Sequence, residues 1–234
     1  MISKNIQKRV ADATVTFLKD GGQGVLTTNN LILTAAHCVQ FYLTGRMTLG
    51  DYIIEEIQTT HGKLKITPWA VEPVSDIAVV GPLDDQEFCD EVTQFEEFCS
   101  KTKPIPLCLE KPKYGDVIPV WIYTHKKTWI RGKAINYSIK KNPSKICIRT
   151  DENIEGGTSG SPIVNERGEL VSIVSNAGGS IGISREGDGP LLILALPVWI
   201  YQEVTTANTL SLYHQITKKK QQEISKRFRN VERR

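Results

Sequence analysis

The sequence of 234 residues contains no apolar run long enough to cross a bilayer. Its longest apolar stretch, residues 191–200, includes Pro197 and is about half of the roughly 20 residues that a membrane-spanning helix needs. The basic N-terminus lacks the apolar core and the small-residue cleavage site of a secretion signal. These absences predict a chain without a membrane span, located in the cytoplasm.

Cysteine is scarce and its pattern excludes the common structural uses of the residue. The count is five, which is odd, and the cysteines are Cys38, Cys89, Cys99, Cys108 and Cys147. No C-x2-C or paired histidine motif of a zinc site occurs, and we expect neither a metal nor another cofactor. Secreted domains of this size more often carry an even set, so reduced thiols in the cytoplasm are the simpler interpretation.

Charge is unevenly distributed along the chain. The formal net charge is +3, but residues 217–234 alone carry +6 and the remainder carries −3. Such a tail could contact nucleic acid, an acidic partner or an anionic membrane surface. Only Phe228 interleaves these charges, whereas a nucleic-acid groove usually combines basic and aromatic side chains. We therefore favour a solvated helix end and do not expect nucleic acid as a partner.

Short β-type runs separated by turn residues predict an all-β protein. An Asn29–Asn30 turn is expected between two of the first strands. The predicted strands include residues 13–19, 52–58, 62–66, 69–71, 77–80, 117–124, 128–138, 145–149, 161–164, 170–175 and 191–196.

An acidic connector, residues 85–111, divides these strands into two halves of comparable size and contains one expected short helix. The halves are residues 11–84 and 112–197, within a single domain of residues 1–200. Apolar residues at Ile200, Val204 and Leu212 predict a C-terminal helix, so residues 198–234 are assigned to this helix and the basic tail.

Three motifs carry the residue types of nucleophilic catalysis. LTAAHCV contains His37, VSDIAVV contains Asp76, and EGGTSGSPIVN contains Ser159 in a glycine-rich turn. A serine hydroxyl needs a neighbouring base, and histidine performs this role near neutral pH. A buried carboxylate orients the imidazole, and glycines allow backbone N–H groups to converge on a developing oxyanion. The expected donors are the N–H groups of Gly157 and Ser159.

The three motifs together resemble the signature of chymotrypsin-like serine proteases, in the order His, Asp, Ser, at separations of 39 and 83 residues. The resemblance covers residues 11–200 and is closest to bacterial-type and viral members with short loops. It implies two antiparallel six-stranded β-barrels with the catalytic site between them. It also implies a serine endopeptidase acting on protein or peptide substrates.

Each motif alone has an ordinary structural interpretation, because single histidines and Gly-x-Ser-Gly turns are common; the ordered set of three favours catalysis. Asp51, Glu72 and Asp90 remain rivals of Asp76 for the carboxylate. The other histidines, His61, His125 and His214, are assigned no function.

Departures from the family pattern bear on activation. Thr158 stands where digestive members have an acid that pairs with a newly formed N-terminus, so that switch is not expected. Gly22 and Gln23 stand where the family has the cysteine that bridges to Cys38, so that disulfide is absent.

Other departures bear on specificity. Asn153 replaces the acid that gives Lys/Arg specificity, and Ser175, Asn176 and Ala177 resemble the strand that pairs with extended substrate. With an apolar wall from residues 191–194, these residues predict a neutral pocket for small or medium apolar side chains.

The sequence thus predicts a serine endopeptidase with a narrow set of protein substrates. It also predicts a regulatory protein partner that controls the proteolytic activity. The alternative is a catalytically silent trypsin-like fold that acts as a partner-binding module.

Overall fold

The computed structural model describes residues 2–19, 21–39, 53–110, 112–137, 145–177 and 183–196. Over these ranges the protein is mostly β-structure, and its strands form two sheets. The prediction of an all-β protein is confirmed.

Six antiparallel strands close the first sheet into a barrel, in the order β1-β2-β3-β6-β5-β4. They are β1 (Thr14–Phe17), β2 (Gln23–Thr27), β3 (Leu31–Thr34), β4 (Glu55–Thr59), β5 (Gly62–Glu72) and β6 (Ile77–Gly81). Strands β2, β3 and β6 are buried at every position. This side of the barrel therefore lies inside the molecule.

The turn between β2 and β3 has the conformation that its sequence favours. Residues 28–30 form it, and Asn29 and Asn30 have φ of 65° and 55°. Asparagine tolerates this left-handed region better than most side chains do. The predicted Asn–Asn turn is confirmed.

The second sheet contains seven strands in the order β11-β10-β7-β8-β9-β13-β12. They are β7 (Val117–Tyr123), β8 (Trp129–Tyr137), β9 (Lys145–Glu155), β10 (Pro162–Val164), β11 (Leu170–Ile173), β12 (Asn176–Ala177) and β13 (Ile183–Pro190). Only Val174 and Ser175 separate its two edge strands, β11 and β12, along the chain, so the sheet is curled. Val120, Ile122, Ile146 and Ile148 belong to the apolar core that it encloses.

The two-barrel architecture is therefore confirmed, with one difference in strand count. The second sheet has seven strands where six were expected. The reason is that the stretch from Leu170 to Ala177 is interrupted and supplies two strands instead of one.

Three helices accompany the sheets in the described ranges: α1 (Lys4–Ala13), α2 (Cys89–Lys101) and α3 (Leu192–Ala195). Helix α2 is the helix expected in the connector, and it buries Phe95 and Phe98. Helix α1 was not predicted, although Ser3 caps it by accepting the Ile6 N–H at 3.4 Å.

None of the helices in the described ranges has the length and apolar composition that a membrane span requires.

Two predicted elements differ from the structure. The strand predicted over residues 191–196 is wrong, because β13 ends at Pro190 and the chain turns into α3. The last strand is instead β13, the polar segment that precedes residue 191, and it pairs with β9. Cross-strand ion pairs Lys145–Asp188 at 3.7 Å and Arg149–Glu186 at 3.2 Å accompany this pairing, and apolar alternation cannot reveal it.

The two strands predicted over residues 62–66 and 69–71 are one strand, β5, with an irregularity between Pro68 and Ala70. The predicted C-terminal helix and basic tail lie outside the described residues.

Candidate active site

His37 follows directly on β3, which ends at Thr34. Residues Ala36–Cys38 form a single 3-10 turn with His37 at its centre. The His37 side chain is 49% exposed, whereas its neighbours Ala36 and Cys38 are buried. The ring is thus anchored by a buried backbone and accessible from solvent.

Asp76 ends the turn between β5 and β6, with φ of 58°. Aspartate is among the few residues with a side chain that adopt this region readily. Glu72 stabilises the turn by accepting N–H hydrogen bonds from Val74 at 3.0 Å and Ser75 at 2.6 Å. Glu72 therefore has a role of its own in the turn that carries Asp76.

Of the other two rival carboxylates, only Asp90 lies in the described ranges. Asp90 is exposed in the first turn of α2, and Asp51 lies outside the described residues.

The carboxylate of Asp76 holds His37 through two hydrogen bonds. Oδ1 accepts the backbone N–H of His37 at 3.0 Å, and Oδ2 lies 2.8 Å from Nδ1 of the ring. Because Nδ1 is engaged, Nε2 is the ring nitrogen that remains to exchange a proton with a neighbour. Residues 39 positions apart in the sequence thus form an oriented imidazole–carboxylate pair.

Ser175 completes the surroundings of this carboxylate. Its Oγ donates a hydrogen bond to Asp76 Oδ2 at 2.7 Å, and the residue is 2% exposed. The sequence pattern predicts substrate binding for Ser175. Its contact with Asp76 spans 99 positions and leaves no local signal in the sequence.

These contacts shift the pKa values of His37 and Asp76 in opposite directions. The hydrogen bond to Asp76, followed by one to Cys38, raises the pKa of His37 from 6.5 to about 10, although burial opposes the change. Burial alone would raise the pKa of Asp76, but hydrogen bonds from His37 and Ser175 hold it below its ordinary value of 3.8. The pair therefore favours an imidazolium beside a carboxylate.

Ser159 lies in a glycine-rich turn, here called the Ser159 turn (residues 156–161). Within it the N–H groups of Thr158, Gly160 and Ser161 donate to Glu155 O at 3.2 Å, Val174 O at 2.6 Å and Thr158 O at 3.0 Å. The N–H groups of Gly157 and Ser159, which flank Thr158, have no acceptor in the described part of the chain. Unpaired backbone donors on either side of one residue are the feature that an oxyanion site requires.

Gln23 of the first barrel connects β2 to the Ser159 turn. Its N–H donates to Ser159 O at 2.7 Å, and its side-chain Oε1 accepts a hydrogen bond from Ser161 Oγ. A Cβ at the preceding Gly22 would lie 2.5 Å from Cys38 Sγ and 3.3 Å from Ser159 O. Gly22 thus lies between Cys38, the residue after His37, and the carbonyl of Ser159.

A second connection runs through Val174 and Ser175, which bond to Gly160 and to Asp76 respectively. The fold therefore brings His37, Asp76 and Ser159 to one region between the two barrels, with a direct hydrogen bond between the first two.

Cys38 is free, as are the other four cysteines. Its sulfur occupies the space where a side chain at Gly22 would stand. Cys38 Sγ therefore lies next to Gly22, which has no side chain that could form a bridge with it.

The remaining predicted residues occupy two places. Asn153 lines a cavity of about 140 Å³ that His125 and Thr158 also line. Asn176 and Ala177 form β12, the last strand of the second sheet.

The apolar run 191–194 does not form one wall, because Leu191 belongs to the core of the second sheet and Leu194 is 44% exposed. No group of three or more His, Cys, Asp or Glu side chains in the described ranges is arranged to hold a metal ion.

Gly160 is expected to tolerate no side chain. It has φ of 77°, and an added Cβ would overlap the carbonyl oxygen of Gln23. Gly115 has φ of 81° with no atom within 4 Å of its Cβ position, so Gly115→Ala is the matched control for backbone strain alone.

We expect Gly115→Ala to lower the free energy of unfolding by about 1–2 kcal/mol. For Gly160→Ala we expect a further loss of about 1–3 kcal/mol from the overlap. Urea unfolding measures both variants, and equal losses would contradict this account of the Ser159 turn.

Ser175→Ala is expected to lower stability in a pH-dependent manner. Because the Ser175 hydrogen bond lowers the pKa of Asp76, its contribution is present above pH 3.8 and is lost as the pH falls through the folded value. We expect the variant to lose about 1–2 kcal/mol at pH 7, and the difference from wild type to narrow below pH 3.8. The exposed Ser100→Ala serves as control, and a difference independent of pH would refute the assignment.

Comparison with known proteins places the chain among peptidases. The sequence model of the trypsin-like peptidase domain matches residues 22–173. No curated protein matches the chain.

Solved structures of proteases share the fold. The active form of the Rv3671c protease from M. tuberculosis has a TM-score of 0.54 at 16% identity, over 80% of this chain and 78% of that one. Its inactive form has a TM-score of 0.52 at 17% identity, over 80% and 86%. The HtrA-type protease AlgW with a tripeptide has a TM-score of 0.53 at 18% identity, and the match covers 87% of this chain but 62% of AlgW.

Proposed function

Because this chain belongs to the family of trypsin-like peptidases, we propose that it is a serine endopeptidase in which Ser159 is the nucleophile. His37 is the general base and Asp76 the carboxylate that orients it. The observation that carries the proposal is the 2.8 Å hydrogen bond between His37 Nδ1 and Asp76 Oδ2, formed beside the Ser159 turn.

The reaction begins when Ser159 Oγ attacks the carbonyl carbon of the scissile peptide bond and its proton passes to His37 Nε2. Asp76 stabilises the imidazolium that forms. The N–H groups of Gly157 and Ser159 bind the oxyanion of the tetrahedral intermediate. The imidazolium then gives its proton to the leaving amine nitrogen as the C–N bond breaks, which leaves an acyl-enzyme. Water, activated by His37, hydrolyses that ester and restores Ser159.

Labelling by a fluorophosphonate tests the assignment of the nucleophile. The wild-type chain should form an adduct at Ser159, detected by mass spectrometry of the peptide that contains it. Ser159→Ala and His37→Ala should form none, whereas the exposed Ser100→Ala should label normally. A wild-type chain that never labels would support the alternative, a binding module without catalysis.

The substrate is proposed to bind as an added strand beside Asn176 and Ala177. Strand β12 pairs with β13 on one side and is the last strand of the sheet, which leaves an edge for an extended peptide. The neutral Asn153 supports a preference for small or medium apolar side chains over Lys and Arg. In a peptide library we expect cleavage after apolar residues, and strong cleavage after Lys or Arg would contradict the proposal.

We further propose a narrow substrate set and control by a protein partner in a reducing compartment such as the cytoplasm. Thr158 cannot form an ion pair with a new N-terminus, which supports control by other means, and five free cysteines support reducing conditions. Purified enzyme should therefore leave casein largely intact, and free digestion of casein would refute this restraint.

A further inference from the structure

The turn between β7 and β8 (residues 124–128), here called the His125 turn, contacts the Ser159 turn at one point and the residue before that turn at another. His125 Nδ1 lies 3.1 Å from Thr158 Oγ1. Lys126 Nζ forms an ion pair with Glu155 Oε2. These contacts fall on either side of the glycines at positions 156 and 157. One turn of the second barrel therefore holds both ends of the flexible part of the Ser159 turn.

The His125 turn is itself closed by several hydrogen bonds. The Thr124 N–H donates to Thr128 O and the Lys127 N–H donates to Thr124 O, both at 2.9 Å. The hydroxyls of Thr124 and Thr128 are 2.7 Å apart. The rings of Tyr123 and Trp129 pack across the base of the turn with centroids 5.1 Å apart. The half-buried imidazole of His125 is consequently presented from a well-supported backbone.

The ring of His125 also packs against Gly157. A Cβ at Gly157 would lie 3.5 Å from the ring carbon Cγ of His125, which is van der Waals contact. Gly157 has φ of 85°, and Gly156 would meet no atom within 4 Å. Two consecutive glycines have a wide choice of backbone conformations, and the ring of His125 lies beside the second of them.

Thr158 makes its hydrogen bond with His125 from a protected position. The residue is 1% exposed, and its side chain and that of His125 both line the cavity of about 140 Å³. Because Thr158 is buried, its end of this hydrogen bond is shielded from solvent. The hydrogen bond fixes the residue that lies between the two unpaired N–H donors, those of Gly157 and Ser159.

We propose that His125 is a positioning residue, which acts through Thr158 and Gly157 to aim the N–H groups of Gly157 and Ser159 at the oxyanion. This inference rests on the proposed peptidase function. Oxyanion donors act only when they stand at hydrogen-bonding distance from the developing charge, so a small displacement of this turn lowers the rate of the chemical step.

Two matched pairs of variants test the proposal with the full chain and a peptide ester substrate. His125→Leu and Thr158→Val remove the hydrogen bond at similar volume. His125→Asn places an amide near the position of Nδ1, and Thr158→Ser keeps the hydroxyl. In His125→Leu and Thr158→Val we expect kcat to fall about 10- to 100-fold, with KM changed less than about twofold. In His125→Asn and Thr158→Ser we expect most of this loss of kcat to be recovered. The double variant His125→Leu/Thr158→Val should be no slower than the slower single variant, because both changes break one interaction.

Thermal unfolding of each variant separates positioning from a general loss of structure. Equal melting temperatures of the Leu and Asn variants, with kcat differing as above, support positioning. If His125→Leu does not fold, the Thr158→Val and Thr158→Ser pair makes the same comparison. If kcat is unchanged in His125→Leu and Thr158→Val, or if only KM rises, the proposed role of His125 is overturned. Activity of the wild-type chain would still support the proposed peptidase function. A wild-type chain without hydrolysis or labelling would instead overturn both.

Discussion

Ser159→Ala is expected to reduce kcat for peptide hydrolysis by about 10⁵- to 10⁶-fold, close to the limit of detection. The hydroxyl is the atom that forms the acyl bond, and no neighbouring group can take its place. Binding of peptide should persist, because the edge strand β12 and the N–H donors of the Ser159 turn remain. The variant is therefore expected to lose turnover, measured by steady-state kinetics. It should keep its affinity for a substrate peptide, measured by calorimetry.

His37→Ala should cause a loss of similar size, and the double variant should be no worse than either single one. Groups that act as a unit in one proton transfer are not additive, since removal of either member abolishes the step. His61→Ala is the matched control, because that ring packs near Phe98 at 6.3 Å between centroids, in the first barrel. Losses that add in the double variant would contradict a shared role of Ser159 and His37.

Asp76→Asn is expected to lower kcat by about 10⁴-fold while the chain remains folded. Asparagine tolerates the φ of 58° at this position, so the backbone of the turn can be kept. The amide cannot stabilise an imidazolium, and its NH₂ group favours the wrong tautomer of His37. Asp90→Asn, a neutralisation on the exposed first turn of α2, should leave kcat unchanged.

The pH profile of Asp76→Asn gives this prediction a second, signed test. His37 acts as a base only when its ring is neutral, and the hydrogen bond to Asp76 raises the pKa of the ring above 6.5. The rising limb of the wild-type profile of kcat/KM against pH should therefore have its midpoint above pH 6.5. Without the carboxylate the pKa of His37 falls, so this limb should move to lower pH in the variant even as the plateau drops. A limb that stays in place, or moves to higher pH, would show that Asp76 does not set the charge of His37.

Much of the architecture could be predicted because its signals are local. The strands around His37 and Asp76 are short apolar runs, and the Asn29–Asn30 turn requires residues that accept positive φ. The order of the three motifs was equally visible. In contrast, β13 is polar and is stabilised by pairing with β9, so its sequence alone resembles a loop.

The local sequence determined which residues carry the chemistry: a serine among glycines, a histidine after an apolar strand and an aspartate before one. Tertiary structure decided what surrounds them. Ser175 reaches Asp76 across 99 positions, Gln23 meets Ser161 across 138, and His125, assigned no function from its neighbours, reaches Thr158 across 33. Such contacts depend on the closure of the first sheet, the curl of the second and the packing of one sheet against the other. A distance set by packing leaves no periodic trace in the chain.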